Sequence, residues 1–424
     1  MTRIAFTFAG REDRMQQELA FMQGLLDAGV IDEWHIWNFT RNDDDDAWLR
    51  GLGHPQVMLT GRGSPDYAPF GDGTPTRWSA HVEAVSNAGV LATLSTGGML
   101  EFALGSHENK LSWVRTFPTS EYVPSVVPQG SAPVALRVEG GDDIELVSRS
   151  GAVTVELNGD VVFNAAGDDI TFGQVLVRTG FGSAGLWSTG DVSGRVKLYN
   201  SNERGYAAFR SVYEYYSHSS FSDAVFLKLD DDVVYLDPEK VDGMLSAVEA
   251  SPRHDIWSAN VINNGVCAHF QQQWDYFPGL EEEFEYPKGI NGWGDTGTLW
   301  ESSEKAAALH AYFLEHFDEI RAKARAGDVF ELPATHRLSI NVVAFKQPVM
   351  PLMALAYGME ATNDDEQIMT VVLPKRFGLR KFLYQPLLAA HLSFYEQEKT
   401  LDPTELLEGY ARLGASLAAA SSAG

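Results

Sequence analysis

The chain has 424 residues, 44% of them hydrophobic and 11% aromatic, and a formal net charge of −26. Its length and apolar content support a full globular core, with two domains as the natural division. The acidic balance argues against a nucleic-acid partner, because phosphate backbones demand basic patches, but leaves room for a small phosphorylated ligand held by a few arginines or a metal. The single cysteine, Cys267, excludes an intramolecular disulfide and suits a reducing compartment. "MTRIAFTFAGRED" lacks a long apolar region, so no secretory leader is expected. No apolar run reaches the roughly 20 residues that a membrane helix needs. A soluble protein of the cytoplasm, or of the inner membrane face by peripheral association, is expected.

The first elements read as the start of a doubly wound α/β domain. "RIAFTFAG" is a short apolar strand ending in Gly10. Met15, Leu19, Met22 and Leu26 then recur at helical spacing, and Gly29 suits the position just past a helix end. "EWHIWNFT" is a second strand, followed by the acidic "RNDDDDAWLR". Ligands of such sheets gather at the carboxyl ends of strands, which places Gly10, Arg11 and Asn38 near one rim.

After residue 60 the character changes. "GRGSPDYAPFGDGTPT" reads as a linker. From about 77 to 188, short β-type runs such as "VLATLS", "LSWVRTF", "VALRVEG", "DIELVSR" and "AVTVELNGDVVFNA" predict an all-β sandwich. "STGDVSG" reads as the exit linker. The α/β pattern resumes with a helix stripe at Tyr206, Phe209, Tyr213 and Tyr216. The expected division is a discontinuous α/β domain, 1–66 and 191–424, interrupted by a β-sandwich at 67–190, an insertion that succeeds where chain ends lie close together.

"AVFLKLDDDVVYLDP" places Asp230, Asp231 and Asp232 directly after an apolar strand. Adjacent like charges at about 4 Å repel by about 1 kcal/mol in water and by about 4 kcal/mol at an effective dielectric near 20. Such a triplet needs water or a cation. A strand ending in D-x-D carries two carboxylates to one rim, which suits Mg²⁺ or Mn²⁺. In "ATNDDEQIMT", Asn363 or Asp364 can cap a helix. Asp364, Asp365 and Glu366 together exceed what capping requires, so one of the three could act as a general base. His391 stands alone in an apolar run, where a core role competes with ligation. Arg11, Arg14, Arg204, Lys375 and Arg376 are the basic residues available for phosphate. Neither G-x-G-x-x-G nor a P-loop motif supports a dinucleotide or P-loop NTP site.

Together, "FLKLDDDVVYLD", "AGRE", "NSNERGYAAF", "LSINVVAF", "NDDEQIMT" and "HLSFYEQ" resemble GT-A-fold glycosyltransferases, in particular a bacterial subgroup tied to surface polysaccharide assembly. The resemblance covers residues 1 to about 60 and 195 to 400. It implies a Rossmann-like mixed sheet and a divalent metal, Mn²⁺ or Mg²⁺. It also implies a nucleoside-diphosphate sugar donor, a UDP-sugar first, and transfer to a glycan or lipid-linked saccharide hydroxyl, with inversion. By the same resemblance Asp230, Asp232 and His391 hold the metal. Gly10, Arg11, Arg14, Asn38, Asn202, Arg204 and Asp231 contact the donor. Asp365 is the base, with Asp364 and Glu366 as competitors because the chain has "NDDE" where an acidic pair is the commoner pattern. "AHVEAVSNAGVLATLS" and "VTVELNGDVVFNA" resemble the farnesoic-acid O-methyltransferase-like β-sandwich, in which Trp113 and Trp187 could stack on sugars or fill the core. Two other readings are a sugar nucleotidyltransferase and a non-catalytic glycan-binding protein acting through the sandwich.

Overall fold

A computed structural model describes all residues except 61–67, 75, 85–87, 96–98, 106–110, 118–141, 150–151, 167–170, 180–184, 190–191, 193, 204–205, 287–297, 360–363 and 423–424. The run "VALRVEG" therefore lies outside the described residues. The chain divides into two compact units, one of Met1–Leu52 with Val212–Gly424 and the other of Gly53–Ser211.

In chain order, the first unit opens with β1 (Thr2–Ala9), the helix α1 (Glu12–Asp27), β2 (Glu33–Asn38) and the helix α2 (Asp43–Gly51). The second unit holds β3 (Gln56–Thr60), β4 (Ala68–Pro69), β5 (Asp72–Thr74), β6 (Arg77–Ala84), β7 (Ala88–Leu94), β8 (Met99–Gly105) and β9 (Leu111–Phe117). It continues with β10 (Asp142–Arg149), β11 (Ala152–Leu157), β12 (Asp160–Ala166), β13 (Phe172–Thr179), β14 (Gly185–Ser188) and β15 (Val196–Ser201). The first unit then resumes with β16 (Ala224–Asp230), β17 (Val233–Leu236), β18 (Ile256–Ile262), β19 (Val329–Leu332), β20 (Val342–Lys346) and β21 (Lys381–His391).

In the second unit, one sheet runs β12-β11-β10-β6-β14-β3-β15 and the other β4-β13-β7-β8-β9. Alternation decides which side chains go inside. Trp78, Ala80 and Val82 of β6, Ile144 and Leu146 of β10, and Val153, Val155 and Leu157 of β11 join Val90, Ala92, Leu100, Phe102 and Val177 in one core. Trp187 is fully buried in that core, which decides its role; the side chain of Trp113 lies outside the described set. The β11–β12 hairpin turns on Asn158 and Gly159, with φ of 53° and 84°. Asn-Gly is the pair that this left-handed two-residue turn favours.

In the first unit the order is β2-β1-β16-β20-β18-β21-β17, with β19 also on β21. β1 pairs in parallel with β2 and β16, and β18 with β21. The pairings β16–β20, β18–β20, β17–β21 and β19–β21 are antiparallel. This corrects the expected fold class. A Rossmann-like GT-A winding needs crossover connections between parallel neighbours, whereas in this unit the described parallel pairs are β2–β1–β16 and β18–β21, the second unit adds only β3–β15, and the described chain is otherwise rich in antiparallel sheet. The apolar runs were legible; the direction in which each strand pairs was not.

One buried ionic clasp ties the antiparallel edge to a helix. Asp237, fully buried after β17, takes Arg321 through Nε at 3.1 Å and Nη2 at 2.9 Å, and Arg325 through both nitrogens at 2.8 Å. The two arginines stand one turn apart on the helix Phe317–Arg325. Breaking a buried pair from one side leaves charge uncompensated. Asp237→Asn is expected to cost about 3 kcal/mol, read as a lower urea midpoint at unchanged slope.

Candidate cation site at the strand ends

β16 is buried throughout except at its last residue, Asp230, and its register with β1 places Phe8 opposite Asp230. The segment after β1 therefore meets the acidic triplet. Asp231 accepts from Gly10 N at 3.0 Å, and from Arg11 through Nε at 3.0 Å and Nη2 at 2.7 Å. A Cβ on Gly10 would stand 3.0 Å from that carboxylate, so the close approach favours glycine. β17 pairs with β21 with Val233 opposite His391, and Leu392 N donates to Asp232 O at 2.8 Å. That pairing carries His391 Nε2 to 2.8 Å from Asp232 Oδ1. The other oxygen of Asp232 takes Arg11 Nη2 at 2.9 Å and Arg14 Nη1 at 3.4 Å.

Asp230 is held separately. Lys228, itself 1% exposed, donates to its Oδ1 at 2.5 Å, and Asn341 Nδ2 to its Oδ2 at 3.2 Å. Asp230, Asp232 and His391 each offer one ligand atom, and these atoms lie within 4.8 Å of one another. His391 is 3% exposed and its Nδ1 has no hydrogen-bond partner. Two carboxylates and a buried imidazole with one unpartnered nitrogen are a donor set that fits Mn²⁺ or Mg²⁺. The sequence-predicted metal residues are thus brought together.

Burial drives the Asp231 carboxyl up, and Arg11 only partly offsets it. At Asp232 burial is outweighed by His391, when that ring carries a proton, and by Arg11, and the carboxyl lies well below the usual range. Behind them Glu18 is fully buried, accepts from the Thr7 hydroxyl, and is pushed well above the carboxylate range by burial.

Of the other expected contacts, Asn38 donates to Asp46 at 2.5 Å and accepts from the Thr40 hydroxyl at 2.7 Å, which fixes the turn into α2. Asn202 belongs to the other unit, where its N–H donates to Leu59 O at 3.2 Å. Arg204 lies outside the described residues. The second acidic cluster divides its members. Asp364 caps the helix Asp365–Gln367 by accepting from Gln367 N at 3.1 Å, and its other oxygen meets Arg337 at 2.9 Å. Asp365 accepts from the Tyr213 hydroxyl at 3.0 Å, and burial raises its carboxyl despite Lys228 nearby. Glu366 pairs with Arg337, yet burial pushes it up to about 7.

Three contributors escape sequence reasoning. Lys228 carries a readable signal, a lone cation inside a buried apolar strand. Glu398, which pairs with both Arg11 and Arg14, and Asn341 carry none, because only the pairing of β16 with β1 and β20 and of β17 with β21 brings them in.

No protein-family model matches the chain. No curated protein matches it. Among the solved structures that match are a Caenorhabditis elegans galectin, LEC-6, and the carbohydrate-binding module CBM66 of Bacillus subtilis. The galectin is 14% identical, covering 30% of this chain and 89% of its own, with a TM-score of 0.22. The binding module is 10% identical, covering 31% and 96%, with a TM-score of 0.21. A non-specific endo-β-1,3(4)-glucanase of family GH16, SCLam, is 8% identical, covering 29% and 57%, at a TM-score of 0.21. Such scores transfer neither activity nor ligand. None of these comparisons supports the resemblance drawn from motifs. Membership among GT-A glycosyltransferases of the surface-polysaccharide type is withdrawn, as is the farnesoic-acid O-methyltransferase-like assignment. The sugar-transferase activity, the D-x-D label and the nucleotide-sugar donor fall with them, since no family model supports them and the structures found are of another class. No described helix is long and apolar enough to cross a membrane.

Glu366 supplies a test of the second cluster. A carboxyl raised from its unfolded value of 4.5 to about 7 adds stability that is complete below pH 4.5 and is lost as pH rises through 7. The unsubstituted chain is therefore expected to lose about 2 kcal/mol between pH 5 and 8 that Glu366→Gln does not lose, measured as diverging melting temperatures across that range.

Proposed function

We propose that this protein is a non-catalytic glycan-binding protein that acts through its all-β unit and holds a divalent cation in its α/β unit. The observation that carries the saccharide reading is the outer face of β6 and β10. Arg77, Ser79 and His81 alternate with the core residues of β6 and point away from them. Register sets Asp143 opposite His81 and Glu145 opposite Ser79. His81 Nδ1 stands 2.8 Å from Asp143, and Arg77 reaches Glu145 through Nε at 2.7 Å and Nη2 at 3.0 Å. Glu156 lies across from Glu145 on β11. Sugar hydroxyls both donate and accept, and a flat face of paired guanidinium, imidazole and carboxylate groups offers both at fixed spacing. Two-sheet sandwiches are a common lectin scaffold, and the carbohydrate-binding proteins among the matched structures agree with that reading.

A full-length chain applied to a glycan array is expected to bind a saccharide. The double substitution Arg77→Ala with Glu145→Ala should weaken that binding at least about tenfold, while stability changes by no more than about 0.5 kcal/mol because the groups are on the surface. No binding to any glycan, or binding that the double variant retains, rejects the reading.

The cation reading rests on Asp230, Asp232 and His391, each with a ligand atom within 4.8 Å of the others, and on the unpartnered Nδ1 of the buried His391. When bound, the cation would neutralise the excess acid there and could take an oxygen ligand. Mn²⁺ at 100 times its dissociation constant should stabilise the chain by about 2.7 kcal/mol. His391→Ala should remove most of that gain. A melting temperature that Mn²⁺, Mg²⁺ and Ca²⁺ all leave unmoved removes the site.

A further inference from the structure

We infer that Arg11 is a built-in competitor for the cation, so that cation uptake is an exchange in which the Arg11 guanidinium leaves Asp232 for Glu398; this rests on the cation reading above. Asp232 has two oxygens, one facing His391 and the other engaged by Arg11 Nη2 at 2.9 Å. A cation bound by Asp232 and His391 must therefore displace or share one of these contacts. His391 is itself one of the proposed ligands, which leaves Arg11 as the group to give way.

The receiving carboxylate is already in position. Arg11 Nη1 pairs with Glu398, and Arg14 Nη1 meets the same Glu398 oxygen at 2.8 Å, closer than its 3.4 Å to Asp232. Arg14 thus already shows the arrangement that Arg11 would adopt. Glu398 is held firmly for that role. It ends the short helix Tyr395–Glu398, whose buried Gln397 is locked to Asn263 by a reciprocal amide pair at 2.9 and 3.1 Å. Gln397 also donates to Leu299 O at 2.6 Å and accepts from Phe394 N at 2.9 Å. Arg11 is the residue immediately before α1 and makes no side-chain cap contact, so giving up Asp232 does not unwind the helix; its Nε and Nη2 contacts with Asp231, at 3.0 and 2.7 Å, anchor the guanidinium about which Nη2 turns away from Asp232.

The charges agree with an exchange. The buried carboxylates Asp231 and Asp232 and the half-buried Asp230 and Glu398 face Lys228, Arg11 and Arg14, with the exposed Asp13 and Arg41 at the margin, 3.9 Å from Arg14 and 4.0 Å from Glu398 respectively. Acids outnumber bases by one, which favours an incoming cation. Glu398 is a positioning residue here, acting on the site through the arginines.

Calorimetric titration of the full-length chain with Mn²⁺ separates competition from support. Arg11→Met should bind Mn²⁺ about tenfold more tightly, since a competitor has gone. Glu398→Gln should bind about tenfold more weakly, because Arg11 then stays on Asp232. In the Arg11→Met background the Glu398 substitution should change affinity by less than about twofold, because its effect passes through Arg11. Equal or weaker binding by Arg11→Met, or a tenfold loss from Glu398→Gln in both backgrounds, overturns the proposal. If Arg11→Met does not fold, Glu398→Gln decides alone, and unchanged or tighter binding refutes the exchange. Absence of Mn²⁺ binding by the unsubstituted chain removes the cation site itself, and the exchange with it. Binding that survives while Arg11→Met weakens it leaves the site standing and refutes only the competition.

Discussion

The α/β unit depends on how it accommodates three consecutive carboxylates at the end of a buried strand. Asp231 and Asp232 are 7% and 5% exposed, so water does not solvate them. Each ion removed from water costs several kcal/mol after relaxation, and only near, well-directed partners offset it. One partner is local, Lys228 on β16 itself; the others come from far along the chain, Arg11 and Arg14 before and within α1 and Asn341 from the turn into β20. Meeting this requirement obliges β1 to lie beside β16 and the end of β21 beside β17. The strand order around the site follows from that electrostatic demand as much as from apolar burial.

The same demand gives neighbouring residues of one type three different characters. Asp230 is committed to Lys228 and Asn341. Asp231 is held by the Gly10 amide and a two-nitrogen Arg11 contact, yet burial still raises its carboxyl. Asp232 is shared between a histidine and two arginines and lies well below the usual range. Glu18, one helical turn after Arg14 and with one oxygen lacking a partner, is the member whose carboxyl burial pushes well above the usual range.

Much of the local structure was legible in the sequence, because period-two alternation and Asn-Gly at 158–159 carry strands and hairpin directly. The acidic triplet after "VFLKL" and the lone His391 also announced themselves. What the sequence could not supply was pairing direction. "LSINVVAF" reads equally well as a parallel or an antiparallel strand, and β20 is antiparallel to both neighbours. That ambiguity let a motif order stand in for a fold and led to a glycosyltransferase reading that the comparisons correct. Glu398 was illegible for a related reason: "FYEQEK" is an ordinary polar run until Gln397 locks to Asn263 and turns the next side chain toward α1.

The two units place their polar groups under opposite energetic terms. On the outer face of β6 and β10 the ion pairs are wet, and exposed pairs add little to stability. The fold would therefore tolerate other polar side chains there, in place of Arg77 diagonal to Glu145 and His81 opposite Asp143. At the strand ends the pairs are dry, and replacing such a cluster with packed apolar side chains is often neutral or stabilising. A structure seeking stability alone would not retain three carboxylates, two arginines and a histidine with an unsatisfied nitrogen at one rim. A divalent cation, under the reading proposed above, would offset part of that cost by bringing positive charge to the carboxylates.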